Sequence, residues 1–206
     1  MFSILGDSIS TFEGYTPARA VFFDRSMAAE TGIREVGDTW WMQVIRSQDG
    51  ELGYNNSMAG SLVAGALASS GTDFGRISSL GQNKSPDVIL IAIGCNDWAF
   101  GVHPQEFEES YRLMIRRIKE IYPKAEIWCS TLPEGQEVDP VEQFFLNIDG
   151  RISGKVYSDI IKKIAREESL CLADLAAEPP YDTIDGVHPN KNGMKQLADA
   201  WIKALG

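Results

Sequence analysis

The sequence predicts an α/β domain built on a parallel sheet, and two observations predict it. Short apolar runs alternate with stretches of helical periodicity along the whole chain. One of those runs, Val88-Ile89-Leu90-Ile91-Ala92-Ile93, is apolar at every position. Alternation of strand and helix implies right-handed crossovers between parallel strands. An unbroken apolar run is what a central strand covered on both faces requires.

The predicted strands are residues 2–5, 52–55, 88–93, 127–130 and 170–173. Helices fill the gaps. Asp38 is placed to cap a helix that buries Trp40, Trp41, Val44 and Ile45. Pro104 opens a second helix, in which Phe107, Tyr111, Met114, Ile115, Ile118 and Ile121 recur at helical spacing. A third carries Val156, Ile160, Ile161 and Ile164. A last one, from about residue 190 to 204, carries Met194, Leu197, Ala198, Trp201 and Ile202. Two connections break the rhythm: residues 10–37, with Phe12, Tyr15, Phe22 and Phe23, and residues 133–150. Connections that long in a compact domain often serve as lids or binding loops.

Bulk properties narrow the class. A chain of 206 residues without a linker or repeat is expected to form a single domain, residues 1–206. Its formal charge of -10 repels phosphate backbones and anionic headgroups, which argues against nucleic acid and against stable membrane association. Cys95, Cys129 and Cys171 form no Cys-x-x-Cys pair and read as free thiols of a reducing compartment. The stretch Met1-Phe2-Ser3-Ile4-Leu5-Gly6-Asp7 has no basic segment before an apolar core, so a cytoplasmic location is expected.

Ligands of open parallel sheets bind at the carboxyl ends of the strands. Polar signals fall at those places: Gly6-Asp7-Ser8 after the first strand, Asn56-Ser57-Met58-Ala59-Gly60 after the second, and Gly94-Cys95-Asn96-Asp97 after the third. Asp185-Gly186-Val187-His188 precedes the last helix. Each alone is a turn or a cap; together they form a chemical set. A serine hydroxyl needs an adjacent base to act as a nucleophile. The chain has only two histidines. His188 follows Asp185 by three residues, so one short turn can set the carboxylate against Nδ1 and leave Nε2 facing Ser8. His103, beside Pro104, reads as a surface or capping residue. Asp7 reads as a brace for its loop, and Asp97 as the cap of the following helix. No Gly-x-Ser-x-Gly elbow, Walker loop or Gly-x-Gly-x-x-Gly motif is present.

These four blocks resemble those of the SGNH (GDSL-type) hydrolase superfamily, and the resemblance spans Gly6 to His188. It implies a three-layer α/β/α sandwich, flavodoxin-like, around a parallel sheet of about five strands. It also implies a serine esterase with Ser8, Asp185 and His188 as triad. The implied oxyanion hole comprises the backbone N–H groups of Ser8 and Gly60 and the side-chain amide of Asn96. The glycine block is the least specific, and Gly65 is an alternative register. Ile9 stands where the family often has leucine. The implied chemistry is acyl transfer to water and needs no metal or organic cofactor. Trp98, Phe100, Trp40 and Trp41 are candidate substrate-binding aromatics. The expected substrate is a small acyl ester, with carbohydrate O-acetyl esters as one class. A lysophospholipase or thioesterase, a non-catalytic binding module on the same fold, and a flavodoxin-like nucleotide or phosphate binder are the competing readings.

Overall fold

The computed structural model describes residues 1–136 and 152–206. The predicted 133–150 connection beyond Gln136 therefore lies outside the described residues. Among the described residues, five parallel strands form one sheet: β1 (Phe2–Gly6), β2 (Leu52–Asn55), β3 (Val88–Ala92), β4 (Glu126–Ser130) and β5 (Cys171–Ala173), in the order β2-β1-β3-β4-β5. Each agrees with its predicted run to within one residue at either end. β1 and β3 are in register from Phe2 against Val88 to Gly6 against Ala92, so both strands end at the same level.

Among the described residues, seven α-helices accompany the sheet: α1 (Ala28–Thr31), α2 (Trp40–Ser47), α3 (Phe74–Ser78), α4 (Cys95–Ala99), α5 (Pro104–Ile121), α6 (Gly154–Glu167) and α7 (Lys191–Leu205). The pleat sends successive side chains to opposite faces. Ile4 and Leu90 enter one apolar cluster with Trp40, Trp41, Val44 and Ile45 of α2 and Met194, Leu197 and Trp201 of α7. Leu5, Ile89 and Ile91 enter the other, with Ile77 of α3, Phe107, Tyr111 and Met114 of α5, and Ile161 and Ile164 of α6. This is the expected α/β/α sandwich. Fully burying a side chain of this size contributes about 1.5–3 kcal/mol, so the two clusters hold the sheet from both sides.

Two local expectations need correction. The cap of α2 is Thr39, whose side chain accepts the Met42 N–H; Asp38 instead accepts the N–H groups of Arg34 and Glu35 and pairs with Lys191. Thr39 has the extended backbone of a cap, directly before the first helical residue. Val156 is exposed, and the buried stripe of α6 runs through Tyr157, Ile161, Ile164 and Ala165. Among the described residues, no helix is long and apolar enough to cross a membrane.

The chain passes from β1 to β2 on one side and then returns to place β3 on the other side of β1. The strand order reverses at β1, and the crevice beyond the carboxyl ends of β1 and β3 is where open α/β sheets hold ligands.

Candidate active site

Four segments converge on that crevice. Ser8 lies in a single 3-10 turn, Ser8–Ser10, immediately after β1. Asp7 starts this turn by accepting the Ile9 N–H at 3.1 Å. The Asp185-Gly186-Val187-His188 turn comes from the far side, before α7. Asp185 Oδ1 accepts the N–H groups of Val187 (2.9 Å) and His188 (2.7 Å), which folds the turn back on itself. Gly186 takes φ 87° there, a conformation that a residue with a Cβ rarely adopts.

The turn brings the three side chains into line. Asp185 Oδ2 lies 2.6 Å from His188 Nδ1, and His188 Nε2 lies 3.0 Å from Ser8 Oγ. An ionised carboxylate only accepts hydrogen bonds, so Nδ1 carries the proton and Nε2 is free to accept from the Ser8 hydroxyl. Burial works against the Asp185 charge. The His188 ring and the backbone N–H groups of His188 and Val187 outweigh it and hold the Asp185 pKa below its ordinary value.

The two other blocks border the serine. Gly60 has φ 73°, is exposed, and has open space where a Cβ would stand. Gly65 also has positive φ, at 87°, but five residues further along the loop. Asn96, in α4, donates from Nδ2 to the Ser61 carbonyl at 3.0 Å, which links the asparagine block to the residue after Gly60.

Asp97 does not cap a helix, contrary to the sequence reading: it lies inside α4, whose cap position is Gly94. It is fully buried in the first turn of α4 and accepts the N–H groups of Val63 (2.7 Å) and Ala64 (2.9 Å). It thereby fixes the loop that follows Gly60. Burial pushes its pKa up to about 6 in spite of those two bonds. Asp7 behaves alike, raised to about 6 by burial although the Ile9 N–H opposes the shift. Its role as a brace is the one expected. His103 caps α5 through Nδ1, which accepts the Gln105 N–H.

The aromatic candidates divide. Trp40 and Trp41 are core residues, 1% and 0% exposed, so neither offers a surface to substrate. Trp40 stacks on Trp201 at 5.2 Å, and both side chains belong to the cluster between α2 and α7. The pattern Trp40, Trp41, Val44, Ile45 was the signal: it is the buried stripe of a helix. Trp98 is partly buried and donates from Nε1 to the Ile152 carbonyl. Phe100 is 64% exposed.

Arg76 carries no sequence signal, and Phe22 is marked only as one of the aromatics of the 10–37 connection, a candidate binding loop. Arg76 of α3 is buried, and its guanidinium donates to the carbonyls of Gly6, Asn56 and Ser69, tying the ends of β1 and β2 together. Burial lowers its pKa to about 10. Phe22, in the 10–37 connection, stacks on the His188 ring. Neither residue sits in a periodic pattern or a motif. Among the described residues, no group of three or more His, Cys, Asp or Glu side chains is arranged to hold a metal ion.

Residues 1–205 match the model of the GDSL-like lipase/acylhydrolase family. The chain belongs to that family. Its members are hydrolases acting on ester bonds. The "Thioesterase 1/protease 1/lysophospholipase L1" of Escherichia coli K12 is 25% identical over 207 residues, covering 98% of this chain and 81% of that protein. A multidomain esterase of Ruminococcus flavefaciens is 28% identical over 130 residues, which is 60% of this chain but 16% of that protein. The chain thus corresponds to a small part of that longer relative. Two solved structures share the fold over 99% of this chain. They are a carbohydrate acetylesterase family member from Sinorhizobium meliloti (TM-score 0.74, 16% identity, 96% of that chain) and the M. smegmatis aryl esterase (TM-score 0.70, 15% identity, 97% of that chain).

Proposed function

We propose that this GDSL-family chain is a serine ester hydrolase that works through an acyl-enzyme, with Ser8 as nucleophile, His188 as general base and Asp185 as its orienting carboxylate. The observation that carries the reading is the relay Asp185–His188–Ser8, at 2.6 and 3.0 Å. As Ser8 Oγ bonds to the ester carbonyl carbon, its proton passes to His188 Nε2, and Asp185 stabilises the resulting imidazolium. The carbonyl oxygen becomes an oxyanion. The backbone N–H groups of Ser8 and Gly60 and the second N–H of Asn96 Nδ2 are the donors assigned to it. When the tetrahedral adduct collapses, the bond to the alkoxy oxygen breaks and His188 returns the proton to the departing alcohol. Water then attacks the acyl-enzyme by the same route in reverse, releasing the acid and free Ser8.

The substrate class proposed is a small acyl ester, with O-acetyl groups on carbohydrate as the leading case. Its support is the acidic chain and the fold shared with a carbohydrate acetylesterase family member. A lipolytic second reading is favoured by Leu67 and Phe100, apolar side chains 70% and 64% exposed on the segments that follow Gly60 and Asn96, and by the Escherichia coli relative. Turnover of para-nitrophenyl acetate by the wild type and its loss in Ser8→Ala test the chemistry. Equal rates in the two proteins, or failure of a serine-directed phosphonate to label Ser8, would remove the hydrolase reading. A panel of acyl esters from acetyl to palmitoyl, with acetylated sugars beside it, separates the two substrate classes.

A further inference from the structure

We infer that Phe22 is a positioning residue for His188, setting the plane of the imidazole through the stages in which Ser8 no longer holds it. The inference rests on the reading of His188 as the base.

The two rings lie face to face, with centroids 3.6 Å apart and planes 10° from parallel. In the free enzyme the imidazole is also held at both nitrogens, by Asp185 and Ser8. Once the acyl-enzyme forms, Ser8 Oγ is esterified and has no proton to donate. Nε2 must then address the incoming water. At that stage the Asp185 bond and the Phe22 face are what restrain the ring, and the face blocks the rotation about Cβ–Cγ that the single bond tolerates. The same face presents its π cloud to the imidazolium that forms in each transition state.

Phe22 is itself anchored. Its backbone N–H donates to Thr11 Oγ1 at 2.9 Å, and the Thr11 hydroxyl donates to the Ser8 carbonyl at 2.9 Å. Its ring meets the buried Phe23 ring edge-on at 4.9 Å. Two residues earlier, Ala20 adopts φ 60°, a region that non-glycine residues sparsely populate. Its carbonyl accepts the Ala59 N–H at 2.7 Å, next to Gly60. A backbone held in that region is over-determined by its surroundings. The segment is thus pinned on one side to the glycine block and on the other to the histidine. It closes a circuit from Ser8 through Thr11 and Phe22 to His188 and back to Ser8. A side chain that merely filled the core would be fully buried; Phe22 is partly exposed and spends one face on the imidazole.

The test compares Phe22→Ala, Phe22→Leu and Phe22→Tyr with the wild type on one ester. Loss of the flat face in the Ala and Leu variants should lower kcat about tenfold or more, with KM within about twofold, while Tyr restores kcat. In proton NMR, Phe22→Leu should move the His188 ring signals and leave those of His103 in place. Wild-type kcat in Phe22→Leu, a loss confined to KM, or unmoved His188 signals would each overturn the positioning role. Wild-type protein without Ser8-dependent turnover would instead overturn the hydrolase reading, so the two failures are told apart.

Discussion

The Asn96 amide donates one of its two Nδ2 hydrogens to the Ser61 carbonyl at 3.0 Å. That bond fixes the amide plane and leaves the other hydrogen for the oxyanion of the proposed reaction. Asn96→Ala should therefore lower kcat about a hundredfold, with the melting temperature little changed. Steady-state kinetics beside a thermal melt check this, and a near-normal kcat would remove Asn96 from the oxyanion hole.

Asp185 accepts from three hydrogens at once: the ring N–H of His188 and the backbone N–H groups of Val187 and His188. Asp185→Asn can keep the two backbone bonds through its oxygen, so the turn should survive. Its amide would face Nδ1 with a donor and stabilise the tautomer whose proton sits on Nε2. The expected loss in kcat is about 10⁴-fold near neutral pH. A variant within about tenfold of wild type would show that tautomer control at His188 is unimportant.

Asp7 is buried, and its pKa in the fold is raised from 3.8 to about 6. Between those values the folded protein binds more protons than the unfolded chain, so stability falls as pH rises through that window. Above it the ionised, buried carboxylate costs on the order of 3 kcal/mol. Asp7→Asn keeps an oxygen for the Ile9 N–H and has no charge to bury. Its melting temperature should change less between pH 4 and pH 6.5 than that of the wild type, as differential scanning calorimetry across that range would record. Identical pH slopes in the two proteins would exclude Asp7 as their source.

Asp97 uses both carboxylate oxygens, one for Val63 and one for Ala64. Asn offers one acceptor, and its amide nitrogen would confront a backbone N–H. Asp97→Asn should cost on the order of 1–3 kcal/mol, because a buried donor is left unsatisfied. By loosening the loop after Gly60 it should also lower kcat. Denaturant unfolding together with kinetics reads both; unchanged stability would mean that the loop finds other acceptors.

The sheet was legible because each strand is a compact apolar run and each of the first three is followed by a polar block. Ser8, Gly60 and Asn96 are legible for the same reason, since a strand end is a fixed address in this architecture. Asp185 and His188 are legible from their spacing and from the scarcity of histidine. The burial of Arg76 is not legible, and of Phe22 only its place in a candidate binding loop is, not its contact with His188. Phe22 reaches His188 through an irregular connection whose path depends on Thr11, Ala20 and Ala59, and no periodicity encodes that path. Arg76 sits in a short helix, and nothing in its neighbours marks it as buried. Trp40 and Trp41 carry two conflicting signals. Large aromatics suit both pockets and cores, and the helical stripe they share with Val44 and Ile45 decides for the core.

Ser8 and His188 touch across 180 residues of chain. On the proposed reading, nucleophile and base are therefore brought together by folding alone and not by neighbourhood in the chain. An ester met by Ser8 without His188 beside it would find an ordinary alcohol. On that reading hydrolytic power requires the segment between β5 and α7 to be docked against β1, so recovered turnover after dilution from denaturant reports that docking rather than formation of β1 by itself.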